Sequence, residues 1–564
     1  MSSTVAAGRR PRPGRALRLD GWSVLTIVVA LAVAAPLAGL PLSYIGGTED
    51  ALGGFADLVP EAALTTALLI AGVGVGTLVL GTALAALISF FDFPGRSWIE
   101  WALVLPLAMP GYVFTLFALG TFGPSLPALR STGGAIAIFT LTLYPYVYLL
   151  ARSAFLGQSR AMLEAGRALG LSRIGAVLKV AVPLARPAIL GGVALALMEA
   201  LADFGTVNLL GVHTFTDAIY RVWFTAFDRE AAMQLAALLL SVTLALLVIE
   251  RLARGRARYH QLSARGEAVE PVRLHGAGAA AAALVPILLV VGVVLVPLGQ
   301  LAGWAAESIS DGLLPVEFGT AARNSLLLAG ASALLVTAIA VLLAYGLRAA
   351  RSAAGRAAVR VATIGYGLPG SVVAAAVIVP LAWLDDRISD AGSVLGLEPE
   401  LLLTGTVIGL LIAYLIRFLA LPFQAIDAGF QRIPRSLDDA ARGLGADRLE
   451  VLARVHLPLI STGLLTGCLL VFTEVMKELP ATLLLRPLGG DTLAVAVWQA
   501  TTESLFETAA LPALMIVLAG LLPVVMMIRL SGRREPELEA AQAAGGWAEV
   551  EVERARISDR RVQS

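Results

Sequence analysis

Four acidic residues interrupt long apolar stretches of the sequence and form two pairs with the same spacing. Glu199 and Asp203 are four residues apart, and Glu474 and Glu478 repeat that spacing 275 residues later. A spacing of four places both members of a pair on one face of a helix. Carboxylate oxygens suit a hard, highly charged metal ion better than thiolates or imidazoles do. These four residues are therefore candidate ligands that would hold such an ion transiently.

A second interpretation makes the same acids structural. Lys477 lies between Glu474 and Glu478, and Arg221 follows the first pair, so these cations or backbone donors could pair with the acids and hold helices together. Both interpretations stay open at this point. Other metal chemistry is disfavoured, because the histidines lie apart without ligand spacing and the chain has a single cysteine, Cys468. The histidines are His213, His260, His275 and His456.

A polar stretch that occurs twice precedes the acidic pairs. Residues 164–183 read EAGRALGLSRIGAVLKVAVP, and residues 439–458 read DAARGLGADRLEVLARVHLP. Each copy predicts a helix, a turn at glycine, a second helix and a proline that opens the next apolar run. The matched positions include Glu164 and Asp439, Ala165 and Ala440, Gly170 and Gly445, and Pro183 and Pro458.

Each copy combines an apolar stripe at helical spacing with a rim of arginines. This pattern is typical of a surface on which a partner protein docks. The alternative is that both stretches are basic loops resting on anionic lipid head groups. Binding to head groups needs positive charge but no fixed glycine and proline spacing, so the duplication favours the docking surface.

The composition is that of a membrane protein. Of the 564 residues, 58% are hydrophobic and only 15% are charged, and the mean hydropathy is +0.81. Soluble globular proteins carry about 25% charged residues, so that class is excluded. Apolar segments of about the 20 residues needed to cross a bilayer recur along the chain. They predict an all-α fold with about twelve transmembrane helices, at 22–42, 63–90, 99–120, 133–150, 188–207, 231–252, 277–302, 325–347, 359–381, 402–423, 464–485 and 509–530.

The distribution of charge predicts the orientation. Arginines and lysines concentrate around both repeated stretches and in the centre of the chain, whereas residues 43–62 contain four acids and no Lys or Arg. Because cationic segments resist translocation, both repeated stretches and both termini are expected on the cytoplasmic side. An even number of spans follows from that orientation.

The repeat extends beyond the polar stretches. Residues 66–72 resemble residues 324–330, and Met109-Pro110-Gly111 resembles Leu368-Pro369-Gly370. Both halves run in the same direction, which predicts two parallel six-helix repeats with a pathway between them. The predicted organisation is a basic tail at 1–20, a first half at 21–252 with its loop at 156–187, a linker at 253–276, a second half at 277–530 with its loop at 431–462, and a charged tail at 531–564.

The repeated stretch resembles the EAA loop of the membrane permease subunit of bacterial ABC importers. That family's pattern is E-A-A, three residues, G, nine residues, an aliphatic residue, one residue, and L-P. This chain departs from it at Gly166, in place of the third motif residue, and at Asp439, in place of the leading glutamate. The resemblance implies the type I ABC importer permease fold and a coupling role, toward separate ATPase subunits, for Glu164, Ala165, Gly170, Pro183, Asp439, Ala440, Gly445 and Pro458.

Short sequence motifs that flank the acidic pairs make the resemblance more specific. Residues 202–206 read ADFGT, residues 213–216 read HTFT, and residues 474–482 read EVMKELPAT. These motifs are similar to those of permeases that have two fused halves and import ferric iron. The resemblance implies import by alternating access, two ATPase subunits that form a homodimer, a periplasmic or lipid-anchored binding protein, and a place in the bacterial inner membrane. Relatives that carry thiamine, phosphate, sulfate or polyamines share the architecture.

No phosphate-binding G-x-x-x-x-G-K-[ST] loop occurs in the chain. We therefore expect a transporter subunit that is no enzyme, binds no cofactor and no nucleic acid, and leaves ATP and Mg to its ATPase partners. Two rival classes are a secondary transporter without an ATPase and a membrane enzyme that holds a catalytic metal on the four acids. The paired loops distinguish an ABC importer from the first rival, and turnover without partners would identify the second.

Overall fold

The computed structural model describes residues 21–46, 53–55, 57–158, 160–254, 271–313, 317–350, 352–394 and 402–532. The tail at 1–20, the middle of the linker and the charged tail beyond residue 532 lie outside the described residues. Within the described ranges, helices joined by turns and short connections make up most of the chain, and the strands are β1 (Phe91–Asp92) and β2 (Val272–Arg273). The prediction of an all-α polytopic membrane protein is confirmed.

The helices follow the same order in both halves. The first half contains α1 (Gly21–Gly46), α2 (Leu58–Phe90), α3 (Arg96–Ala102), α4 (Gly111–Phe122), α5 (Thr132–Leu156), α6 (Arg160–Ala168), α7 (Arg173–Ala176), α8 (Val182–Ala202), α9 (Phe204–Leu209), α10 (Phe215–Phe224) and α11 (Arg229–Arg254). The second half contains α12 (Gly276–Val290), α13 (Val296–Ser310), α14 (Phe318–Ala350), α15 (Ala353–Ala362), α16 (Gly370–Val394), α17 (Val407–Phe418), α18 (Ala420–Arg432), α19 (Arg435–Gly443), α20 (Arg448–Val451), α21 (Leu457–Leu459), α22 (Ser461–Met476), α23 (Pro480–Leu485), α24 (Leu493–Thr502) and α25 (Phe506–Gly532).

Eight helices of the described chain are long and apolar enough to cross a membrane, and three bent pairs bring the number to eleven. The bends are 89° between Ala108 and Gly111, 50° between Phe418 and Ala420, and 77° between Leu459 and Ser461. The predicted spans 99–120 and 402–423 each contain one of these bends, so the sequence misses both, whereas the predicted span 464–485 begins after the third bend. Two of the three bends lie beside a proline that cannot donate a backbone hydrogen bond, Pro110 and Pro458.

The twelfth predicted span, at 359–381, has a different form. The chain there forms α15, a 3-10 turn (Thr363–Gly367) and then α16. Any stretch of α16 long enough to cross a bilayer includes Asp385, Asp386 and Arg387, so this helix lacks an uninterrupted apolar span. Asp385 accepts hydrogen bonds from the backbone N–H groups of Leu402, Leu403 and Thr404 at 2.7–3.3 Å and thereby anchors the start of the next span.

Three helices widen into π-helical turns just before a proline. These turns are Val177–Ala181, Val291–Leu295 and Leu452–His456, and each ends two residues before Pro183, Pro297 or Pro458. Proline lacks the N–H of a regular helix and its ring crowds the carbonyl four residues earlier, which a wider turn relieves. Two of the turns occupy equivalent positions in the repeated stretches.

The halves pack by exchanging their first helices. Helix α1 packs against α14, α15 and α16 of the second half, and α12 packs against α3 of the first. The Trp22 ring meets the Tyr345 ring edge to face, with centroids 5.0 Å apart. Strands β1 and β2 pair in parallel and tie the end of the linker to the first half. Neither half is therefore complete by itself.

Candidate functional site: repeated loops and a central cavity

The two repeated stretches adopt the same conformation. Helices α6 and α19 each end at a glycine with positive φ, +87° at Gly170 and +89° at Gly445. The following residue then donates back across the helix end, from Leu171 N to Gly166 O at 3.2 Å and from Ala446 N to Ala441 O at 3.1 Å. Glycine adopts this left-handed conformation without steric cost, and the back-bond satisfies a terminal carbonyl. We call α6 to α7 and α19 to α20 the first and second coupling loops.

The second helix of each loop begins at a capping side chain. Ser172 accepts from the N–H of Gly175 at 3.1 Å, and Asp447 accepts from the N–H of Glu450 at 2.7 Å. These caps satisfy donors that a helix start leaves free. The matching spacing of glycine, cap and proline thus produces two copies of one rigid helix–turn–helix unit.

Both loops expose apolar side chains at equivalent positions. Leu169 and Leu444 at the turns are 87% and 90% exposed, and Ile174 and Leu449 are 64% and 60% exposed. Such fully exposed aliphatic residues in matched positions are typical of an interaction surface. The predicted coupling residues Glu164, Ala165, Asp439 and Ala440 are exposed on the same two helices. Their coupling role stays a prediction.

Gly166 explains one departure from the family pattern. A Cβ at this position would lie 3.1 Å from Cγ2 of Val180, which is a tight contact. The second loop carries Ala441 there. The first loop is packed too closely for alanine without a small shift, so the glycine preserves the loop's shape.

All four predicted acids line one cavity between the halves. The cavity has a volume of about 80 Å³ and is bordered by Glu199 and Asp203 from the first half and by Glu474, Lys477 and Glu478 from the second. Arg417 also borders it. Convergence of the two pairs was expected from the repeat, and the structure brings them together.

Asp203 and Glu478 occupy equivalent structural positions. Asp203 accepts from the backbone N–H and hydroxyl of Thr206 at 2.7 and 2.9 Å, at the start of α9. Glu478 accepts from the N–H groups of Ala481 and Thr482 at 3.0 and 2.9 Å, at the start of α23. Both carboxylates therefore satisfy the free donors of a helix start inside the membrane.

The repeated Pro-Gly turns explain how these two acids are held. A Cβ on Gly111 would lie 2.5 Å from Oδ2 of Asp203, and a Cβ on Gly370 would lie 2.5 Å from Oε1 of Glu478. No real side chain tolerates such a distance. Glycine in the turn is thus required for the close approach of backbone and carboxylate in each half.

Arg417 completes the binding of Glu478. Its Nη1 donates to Oε1 of Glu478 at 3.3 Å, and the two side chains are 12% and 1% exposed. The Thr482 hydroxyl contacts Oε2 of Glu478 at 2.7 Å and the Tyr414 hydroxyl at 2.6 Å. Glu478 has a partner at each oxygen, so the structural interpretation fits this residue and Asp203.

Glu199 and Glu474 have a different environment. Glu474 pairs with Lys477 through one contact of 2.9 Å, and their side chains are 17% and 23% exposed. Glu199 shares a smaller cavity with Glu474, Tyr146, Tyr366 and Arg417. In the first half Ala202 stands where the second has Lys477. The two acids that face each other across the halves thus share one lysine, and they remain the candidates for contact with a transported ion.

No group of three or more His, Cys, Asp or Glu side chains in the described ranges is placed to hold a metal ion. The four acids therefore share no ligand set in this conformation. Arg221 pairs with neither acid; its Nη1 lies 3.2 Å from Nδ1 of His213. The transient metal site stays a prediction.

Sequence reasoning missed Arg417, Tyr146 and Tyr366. Arg417 interrupts an apolar run as the acids do, so the rule that singled out the acids would also have found it. The two tyrosines carry no such signal, because tyrosine is common in apolar segments near a membrane interface.

Comparison with known proteins places the chain among transporters. The model of the family described as binding-protein-dependent transport system inner membrane component matches residues 77–258 and again residues 336–540. An Fe(3+)-transport system permease protein of Haemophilus influenzae is 28% identical over 525 residues, covering 90% of this chain and 97% of the relative. A probable molybdenum ABC transporter permease of Haloferax volcanii is 30% identical over 254 residues, covering 43% and 94%. A sulfate transport system permease of Salmonella typhimurium is 29% identical over 265 residues, covering 43% and 93%.

Proposed function

The chain belongs to the family of binding-protein-dependent transport system inner membrane components, and we propose that it is the permease of an importer for ferric iron. The observation that carries the proposal is the central cavity, which four carboxyl groups and only two cationic groups border. Arg417 pairs with Glu478 and Lys477 with Glu474, so the carboxyl groups that border the cavity outnumber the cationic groups by two. An excess of carboxylates favours a cation over an oxyanion.

The volume of the cavity also favours a small ion as the substrate. A volume of about 80 Å³ suits a small ion with a few waters, at about 10–15 Å³ for each water. The similarity to an Fe(3+)-transport permease over nearly the whole chain supports iron further.

An oxyanion is the second candidate substrate. Relatives named for molybdenum and sulfate match each about half of the chain, and Lys477 with Arg417 could meet an anion. The two candidate substrates predict different fates for the Lys477–Glu474 ion pair. A transported cation would displace the lysine, whereas a transported anion would displace the glutamate.

The two coupling loops would transmit ATP hydrolysis to this cavity. Each presents an exposed leucine at its turn, which suits two similar sockets on an ATPase homodimer. Closure of the ATPase pair would then move both loops, and a binding protein would deliver the ion at the opposite face. Both termini would lie in the cytoplasm with the loops.

The test is ATP hydrolysis by the complex reconstituted in proteoliposomes with its ATPase and binding protein. Binding protein loaded with ferric iron should stimulate hydrolysis and iron should accumulate inside. Molybdate and sulfate serve as matched alternatives. Stimulation and uptake with an oxyanion but not with ferric iron would refute the iron assignment and leave the importer architecture intact.

A further inference from the structure

A buried ionic cluster anchors the second coupling loop to a long membrane helix. Arg348, near the end of α14, donates from Nε and Nη2 to both oxygens of Asp438 on α19, at 3.0 and 2.9 Å. It also donates to the carbonyls of Phe430 at 2.7 Å and Ile433 at 3.2 Å, at the end of α18. His456 Nε2 lies 2.8 Å from Oδ1 of Asp438. We call Arg348, Asp438 and His456 the clamp.

The clamp is well enclosed. The side chains of Arg348, Asp438 and His456 are 9%, 15% and 1% exposed. Burial raises the pKa of Asp438, but the hydrogen bonds from Arg348 and His456 lower it by more, so its pKa lies below the usual value. The Tyr345 hydroxyl adds a bond of 2.6 Å to the Arg448 carbonyl on α20. Two-pronged arginine–carboxylate contacts fix geometry as well as distance.

Among the residues that the structure describes, the first coupling loop has no equivalent of the clamp at the matching positions. At the position of Asp438 it carries Leu163, and at the position of His456 it carries Ala181. Both side chains are buried in an apolar cluster with Phe90 and Phe155. This loop lies beside the strand pair β1–β2, with Val272 and Leu163 bordering one cavity, and Gln158 Nε2 donates to the Ala181 carbonyl at 2.9 Å. The two loops share a backbone but differ in how they are attached.

The consequence concerns how movement is transmitted. Helix α14 packs against α18 and α22, and α22 carries Glu474. Asp438 is held by Arg348 of α14 and by His456 of the π turn, and Arg348 also binds carbonyls at the end of α18, so the second loop cannot tilt without moving α14. Apolar contacts such as those of Leu163 are less directional and allow sliding.

From these contacts we infer that the clamp makes the second coupling loop and α14 move as one body, so that the two loops transmit ATPase closure unequally. The inference rests on the proposed function, since it assigns Arg348, Asp438 and His456 a positioning role in that transport cycle. The first loop yields at its attachment, and the second passes its displacement to α14, which packs against α22, the helix that carries Glu474.

The test compares distances in the complex with its ATPase, with and without ATP. Spin labels go on Leu437→Cys and Leu334→Cys for the second loop and α14, and on Met162→Cys and Val75→Cys for the first loop and α2, in a Cys468→Ser background. All four sites are at least 40% exposed. On ATP binding, the distance distribution between the labels at Leu437 and Leu334 should stay the same, whereas that between the labels at Met162 and Val75 should shift. A shift of equal size in both pairs would overturn the inference.

Clamp variants provide the second readout. Asp438→Asn should let the distance between the labels at Leu437 and Leu334 shift and should lower the iron transported per ATP about tenfold, a coupling loss of the usual allosteric size, while ATP hydrolysis persists. Arg454→Gln, which removes an 80% exposed cation from the π turn that follows the same loop, is the control. If Asp438→Asn leaves both the label distance in the second loop and the amount of iron transported per ATP unchanged, the role of the clamp is refuted. A wild-type complex that hydrolyses ATP without moving iron would instead refute the proposed substrate, and the label distances would still decide the inference.

Discussion

Replacing Glu478 by glutamine should destabilise the fold far more than the same change at Glu474. Glu478 is 1% exposed and accepts from Arg417, from two backbone N–H groups and from the Thr482 hydroxyl. The amide turns one acceptor into a donor and leaves the Arg417 charge buried without its counter-ion. Breaking a buried ion pair by removing one partner costs about 3–5 kcal/mol.

The change Glu474→Gln is the matched control, because it makes the same substitution four residues earlier, on α22, whereas Glu478 follows the end of that helix at Met476. Glu474 and Lys477 are 17% and 23% exposed, more than Glu478 and Arg417, so water can solvate the lysine that remains. The expected cost is about 1 kcal/mol or less, as for partly exposed pairs. The two variants together separate an acid that holds the structure from one that faces the pathway.

The assay is thermal unfolding of the purified protein in detergent, followed by uptake in proteoliposomes. Glu478→Gln should unfold at a clearly lower temperature or fail to accumulate in the membrane. Glu474→Gln should unfold like the wild type and lose uptake. Wild-type stability of Glu478→Gln would refute the reasoning that divides the four acids into two classes.

Three further predictions follow from local geometry. Gly445→Pro should abolish transport without preventing membrane insertion. Proline requires φ near −65°, whereas Gly445 has a φ of +89°. ATP hydrolysis stimulated by the binding protein measures the loss, and wild-type uptake would contradict the prediction. Gly370→Ala should cost about 1–3 kcal/mol by overpacking against Glu478, which a lower unfolding temperature would show. The lowered pKa of Asp438 means that its stabilising contribution is complete above the usual carboxyl pKa of about 3.9 and is lost as the pH falls through its pKa in the fold. Unfolding midpoints measured against pH should therefore decline more steeply below about pH 4 in the wild type than in Asp438→Asn, and parallel curves would contradict the assignment.

The repeat and its loops could be predicted because local chemistry determines them. A glycine before a capping residue ends one helix and starts the next wherever the flanking pattern is helical, so Gly170 and Gly445 predict their own conformation. Charge in an apolar run is costly, so the four acids were recognisable as well.

The different environments of these acids could not be predicted from the sequence. Glu474 and Glu478 have the same chemistry, and their spacing of four predicts one shared helix face. That prediction is wrong, because α8 ends at Ala202 and α22 at Met476, before Asp203 and Glu478. The approach of Arg417 and of the Gly370 turn then makes Glu478 structural. The bends between spans and the exchange of α1 and α12 between the halves likewise depend on long-range packing. The clamp could not be predicted because Asp438 and Arg348 are ninety positions apart in the sequence. Both lie in segments whose pattern is that of an ordinary basic helix face.

Uptake of radioactive ferric iron tests the central claim most directly. Cells would express this chain with its ATPase and binding protein, in the wild-type form and as Glu199→Gln and Glu474→Gln. We expect iron uptake that depends on ATP hydrolysis in the wild type and is largely lost in both variants. A complex that assembles and hydrolyses ATP while no iron enters would contradict the substrate, and full uptake by both variants would contradict the role of the facing acids.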